Sequence, residues 1–171
     1  MKSSESLNVL IGVLILGWIL YRQLQARPAK ADLRLPLILA VLGIVDLSGF
    51  LGQHGHHPGY VFAALAGSFI LAVVFAMARA ATMHIWVDNG QPWRKGTPLT
   101  AVLWILSLGA HLGYDYLVDG RGALAGLGAA SLAMYFAITY TVQRLLVQAR
   151  ARRISEKHII DPETPISVRW P

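Results

Sequence analysis

His111 and Asp115 stand four residues apart in "GAHLGYDYLVDG", residues 109 to 120. On a helix that spacing places them one turn apart on the same side. An imidazole and a carboxylate so placed can share a proton, act as general base and acid, or satisfy one another as an intrahelical pair. Trp104, Ser107 and Tyr114 fall on the same helical side as His111, while Gly109 and Gly113 lie on the other. A second carboxylate, Asp46, sits inside another apolar run, with Gln53 two turns beyond it. Ionised, it costs several kcal/mol in hydrocarbon, so it must be neutral, paired or facing water. These residues give a candidate ligand-binding set of Asp46, Gln53, Trp104, Ser107, His111, Tyr114 and Asp115. In an enzyme, Asp46 or Asp115 would serve as general acid or base, with His111 as partner, on a lipid-like substrate.

The loop "GQHGHHPGY" adds His54, His56 and His57. Their spacing matches no helical His-x-x-x-His pair, so they are weak metal candidates. Haem would need axial ligands at facing depths. No cofactor is therefore expected, with haem or a transition metal at these imidazoles as the alternative. No Ser-His-Asp arrangement, phosphate loop or HExxH motif is present. Cysteine is absent, which excludes disulfides, thiol chemistry and cysteine-ligated clusters.

The elements that carry these groups are apolar runs. Hydrophobic residues make up 55% of the 171 and charged residues only 14%. A soluble domain of that length carries about 25% charge, so membrane burial is the first expectation. Five runs approach the roughly 20 apolar residues a bilayer requires. They cover residues 7–21, 35–52, 60–78, 98–118 and 123–142, leaving 143–171 as a cytoplasmic basic helix and irregular tail. Pro36 and Pro98 stand in first turns, where a missing N–H is harmless. No strand-like alternation marks the runs, which speaks against a β-barrel.

Basic residues orient the spans. Arg22, Arg27, Lys30 and Arg34 follow the first run, and Arg79, Arg94 and Lys95 follow the third. Arg144, Arg150, Arg152, Arg153, Lys157 and Arg169 follow the fifth, which places thirteen of the fifteen cations on one side. The positive-inside rule then predicts an outside N-terminus and a cytoplasmic C-terminus in a bacterial inner membrane. The net charge of +6 is explained this way and requires no nucleic acid.

Small residues predict how the helices meet. Ala64, Ser68, Ala72 and Ala76 in the third run, and Ala125, Ala129, Ala133 and Ala137 in the fifth, recur every four residues. Such stripes permit close backbone approach within a bundle or between two copies. Between the third and fourth runs, "MHIWVDNGQPWRKG" is too polar to span. Asn89-Gly90 predicts a short hairpin there, with Trp86 and Trp93 at the inner interface and Pro92 weakening the returning strand. Beyond the fifth run, Leu145, Leu146, Ala149 and Ile154 are expected to form the apolar side of a surface helix.

The stretch "LYRQLQARPAKADLRLPLILAVLGIVDL", residues 20 to 47, resembles the CcdC-like family of small bacterial membrane proteins. Its pattern is an aromatic-Arg pair ending the first helix, Arg27-Pro28 with Lys30, then Arg34 before the second. The block "ARAATMHIWVDNGQPWRKGTPLTAVLWILSLGAHLGYDYLV" is similar to the actinobacterial branch. The resemblance implies a polytopic membrane protein and carries over no catalytic residue.

The expectation is an all-α bundle of five transmembrane helices, with a short cytoplasmic hairpin between helices three and four. Its leading role is an accessory or ligand-binding component with an outward-facing polar pocket. A membrane-embedded enzyme and a proton-coupled carrier are the alternatives. Expected partners are membrane lipids, a small hydrophobic ligand or membrane protein, or a second copy.

Overall fold

A computed structural model describes residues 17, 21, 23–29, 33–53, 58–88, 90–119 and 126–160. The first apolar run, apart from Gly17 and Tyr21, lies outside the described residues, as do His54, His56, His57 and the tail from 161 onward. The described elements run β1 (Arg27–Pro28), α1 (Arg34–Gln53), α2 (Pro58–Thr82), β2 (His84–Asp88), β3 (Gln91–Lys95), α3 (Pro98–Asp119) and α4 (Leu127–Ile160). All four helices are long and apolar enough to cross a membrane, so the count among the described residues is four rather than five.

The helices alternate in direction. Tyr60, near the start of α2, reaches the Val118 carbonyl near the end of α3, while Thr82 and Thr100 meet at the other end. The α2–α3 connection is tied down by three threonines. Thr97 and Thr100 cap α3 reciprocally, the Thr100 N–H donating to Thr97 Oγ1 and the Thr97 N–H to Thr100 Oγ1. Thr97 Oγ1 also donates to the Thr82 carbonyl, which joins the C-terminus of α2 to the N-terminus of α3.

The interior mixes small and polar residues with a few large rings, and large aliphatic side chains crowd the exterior. Leu37, Ile38, Ile44, Val45, Phe62, Ile70, Ile105 and Leu117 are exposed. Ala64, Ser68, Ala72, Ala76 and Ala80 are buried along α2, so the small-residue stripe expected there is a packing face. This inversion suits lipid, where apolar side chains gain nothing by leaving the exterior and close approach holds helices together.

Helix α4 is central and contacts α1, α2, α3 and both long strands. Its buried stripe differs from the expected alanines. Ala129 is exposed and Ala133 is half-buried. Ala137 is buried as expected, but the continuous buried row is Leu127, Ser131, Tyr135, Thr139, Gln143, Val147 and Ala151, again every four residues. A period of four drifts around a helix of 3.6 residues per turn. The stripe therefore winds, which lets one helix face several partners along its length. At Gly43 of α1 the α1 and α4 backbones approach closely; a Cβ there would lie 2.6 Å from the Met134 nitrogen.

The hairpin forms as expected, with Trp86 opposite Trp93 and Asp88 opposite Gln91, and Gly90 takes φ 73° in the turn. Pro92 is accommodated inside β3, and its carbonyl accepts from the Ala29 N–H. The sequence reading missed β1, which pairs with β3 and makes a three-stranded sheet of order β1-β3-β2. Two residues are too few to show alternation. Helix α4 is about 51 Å long at 1.5 Å per residue, more than a bilayer core needs. Its far portion packs on the sheet through Val147, Ala151 and Ile154. Leu145, Leu146 and Ala149 are exposed, while Ile154, expected on the same apolar side, packs on the sheet instead.

Candidate functional site

Helix α3 buries one narrow side: Thr100, Trp104, Ser107 and His111. That side is the predicted one, and it faces α2 and α4. His111 is 1% exposed and bonds across helices rather than along its own. Its Nδ1 lies 3.1 Å from Ser68 Oγ of α2, and its Nε2 lies 3.3 Å from the Gly128 carbonyl of α4. A carbonyl only accepts, so Nε2 carries the proton. Nδ1 then accepts from the Ser68 hydroxyl, and a neutral imidazole satisfies both contacts. The self-satisfied His111–Asp115 pair is not what forms. The ring of Tyr135 packs on the imidazole, with centroids 4.4 Å apart.

Asp115 is half-buried one turn further along α3. Its carboxylate lies directly against the Cα of Gly128, in the volume a Cβ would occupy. Gly128 belongs to the first turn of α4, whose positive dipole end favours a negative charge. Tyr114 turns toward α2, and its hydroxyl occupies the space where a Cβ on Gly67 would lie. His111, Tyr114 and Asp115 line one small cleft with Ser68, Gly128 and Ser131, and Leu65, Val118 and Leu127 supply apolar walls.

The remaining expected residues go elsewhere. Asp46 is exposed on α1 and does not line the cleft, so the pocket built on Asp46 with His111 is corrected. Leu47, Phe50 and Gly43 take the buried side of α1 instead, because Gly43 is where α4 can approach. The Gln53 side chain lies outside the described residues. Ser107 is buried but bonds Tyr135, hydroxyl to hydroxyl at 2.7 Å, below the cleft. Trp104 is deeper still and packs against Tyr140 and Phe136. Among the described residues, no group of three His, Asp or Glu side chains converges as a metal site would require.

Sequence reasoning missed three contributors. Ser68 read as a spacer in a small-residue stripe, Gly128 as an unremarked glycine, and Arg79 as a loop cation. Helix α2 runs to Thr82, past the expected end at 78, so Arg79 is drawn inside. It is fully buried, with its guanidinium carbon 4.0 Å from the Trp104 ring centroid. Its Nε, Nη1 and Nη2 have no hydrogen-bond partner among the described residues. The signal available was the run of Tyr135, Thr139 and Gln143 at spacing four in α4, a polar stripe that only a polar neighbour would match.

Fold and cleft together define a helical protein with, among the described residues, four helices long and apolar enough to cross a membrane and a small, largely apolar-walled cleft at one bundle end. No family model matches the chain, and no curated protein or solved structure is similar to it.

Proposed function

We propose that the chain is an integral protein of the bacterial plasma membrane that holds a small ligand in the His111–Asp115 cleft without chemically changing it. In this reading residues 7–21 add a fifth span, the N-terminus is outside, and α4 ends in the cytoplasm. The cations Arg27, Arg79, Arg94, Lys95, Arg144 and Arg150 group at the sheet end, and His111 and Asp115 lie toward the other. That separation supports the orientation. The resemblance to CcdC-like proteins rests on residues 20–47 and the later block, and supports membrane placement alone.

The observation that carries the reading is the double engagement of His111. Both ring nitrogens are committed to structural partners, so the imidazole is a rigid wall rather than a free base. This weighs against acid–base catalysis by His111 with Asp115, and the outward position of Asp46 weighs against a proton relay. The enclosed space is only about 10 Å³, near what a single water needs, so a ligand there is small and only partly inserted. Asp115 and the Tyr114 hydroxyl at its rim favour a hydrogen-bond donor or a cation.

Native mass spectrometry of the chain released from nanodiscs tests this. The wild type should carry a small adduct that is lost in Asp115→Asn. Release of the bare chain, or an adduct kept undiminished in the variant, defeats the reading.

A further inference from the structure

Three guanidinium groups converge at the sheet end with no carboxylate partner among the described residues. Arg27 and Arg94 are direct cross-strand partners in β1 and β3. Opposed residues share one face of a sheet, with Cβ atoms about 5 Å apart. Ile85 is Arg94's partner on its other side, and it is buried with Ala80, Met83, Val147 and Ala151. Because faces alternate strictly, Arg94 and Arg27 lie on the bundle side of the sheet, while Trp86 and Trp93 stack on the outer side.

Arg144 of α4 is the third. Its Nη1 is buried and makes no hydrogen bond among the described residues. Burial first, then the charges of Arg144 and Arg27, push the Arg94 guanidinium below the usual arginine value. Like charges directly opposed in a sheet are destabilising, and here three are brought together and partly dried.

Beside them is a small cleft lined by Gln23, Gln25, Arg27, Met83, Arg94 and Gly96. Its walls are held in place. Gly96 N–H donates to the Gln23 carbonyl at 2.9 Å, and Arg27 Nη2 donates to Gln25 Oε1 at 3.0 Å. A placed, uncompensated cluster of planar donors suits a tetrahedral oxyanion.

We propose that this cleft binds a phosphate group through Arg94 and Arg27, with Arg144 adding charge from behind. The enclosed space beside the guanidinium groups is narrow, so the phosphate belongs to a phospholipid headgroup or to a small soluble phosphate.

Thermal unfolding of the full chain in a neutral detergent tests the site and separates the sources. Phosphatidylglycerol is compared with diacylglycerol of the same chains, and inorganic phosphate with chloride at equal ionic strength. A rise in Tm with phosphatidylglycerol but not diacylglycerol assigns a headgroup. A rise with phosphate but not chloride assigns a soluble phosphate, and rises in both arms sustain the site for either. Arg94→Gln should lose the rise, its apparent affinity falling about tenfold or more, as expected for one charge-assisted bond. Without ligand, Arg94→Gln should unfold no lower than wild type, because a repulsion is removed. If that variant does not fold, Arg144→Gln is read by the same criteria. The site is overturned if neither ligand raises Tm or if the folded variant keeps the full rise. It is also overturned if Arg152→Gln with Arg153→Gln, both exposed, loses as much.

Discussion

The guanidinium carbon of Arg79 sits 4.0 Å from the ring centroid of Trp104, inside the bundle and away from solvent. A desolvated cation over tryptophan is worth about 2 kcal/mol or more, yet burying the charge costs more than that contact returns. Arg79→Met should therefore stabilise the protein by about 1–4 kcal/mol in a denaturation titration followed by circular dichroism. Trp104→Leu should destabilise it, and the double variant should show a coupling of about 2 kcal/mol. A stability loss in Arg79→Met would mean that the guanidinium has partners beyond the aromatic ring.

His111 should be neutral and protonated on Nε2. Nitrogen NMR of labelled histidine in nanodiscs reads this directly: Nε2 should show the protonated ring shift and Nδ1 the unprotonated one. Ser68→Ala leaves Nδ1 without its donor and should cost about 1–3 kcal/mol. A protonated Nδ1 would reverse the donor assignment at both contacts.

Gly43 sets the α1–α4 distance. Gly43→Ala should cost about 1–3 kcal/mol, because the added Cβ meets the Met134 backbone rather than a flexible side-chain end. Gly49→Ala, with nothing within 4 Å of its Cβ, should be neutral or slightly stabilising on the same helix. Equal effects at the two sites would show that helix propensity, not packing, sets the result.

The absence of cysteine makes single labels unique. Gly59→Cys has open space at the start of α2, and Gln91→Cys is exposed in the hairpin. In intact cells, a membrane-impermeant maleimide should label position 59 and spare position 91 until the membrane is opened. The reverse pattern would invert the proposed orientation.

Much of the architecture was legible beforehand. Pro36 and Pro98 stand in first turns, Asn89-Gly90 marks the hairpin, and the limits of the second and fourth runs hold to within a residue or two. The polar side of α3 was legible because Trp104, Ser107 and His111 are rare types in an apolar run, and rarity itself points inward. The partners of these residues were not legible. Ser68 and Gly128 are common small residues, and only the positions of α2 and α4 turn them into the two ligands of His111.

By itself the sequence determined the helices, their punctuation and their suitability for lipid, because each follows from local composition and backbone chemistry. The tertiary structure alone decided which side of each helix looks inward. A helix apolar on all sides has no amphipathic period to announce its buried face. In lipid that face is chosen by where backbones can come close, as at Gly43 against Met134. This choice left Asp46 outside and drew Arg79 inside.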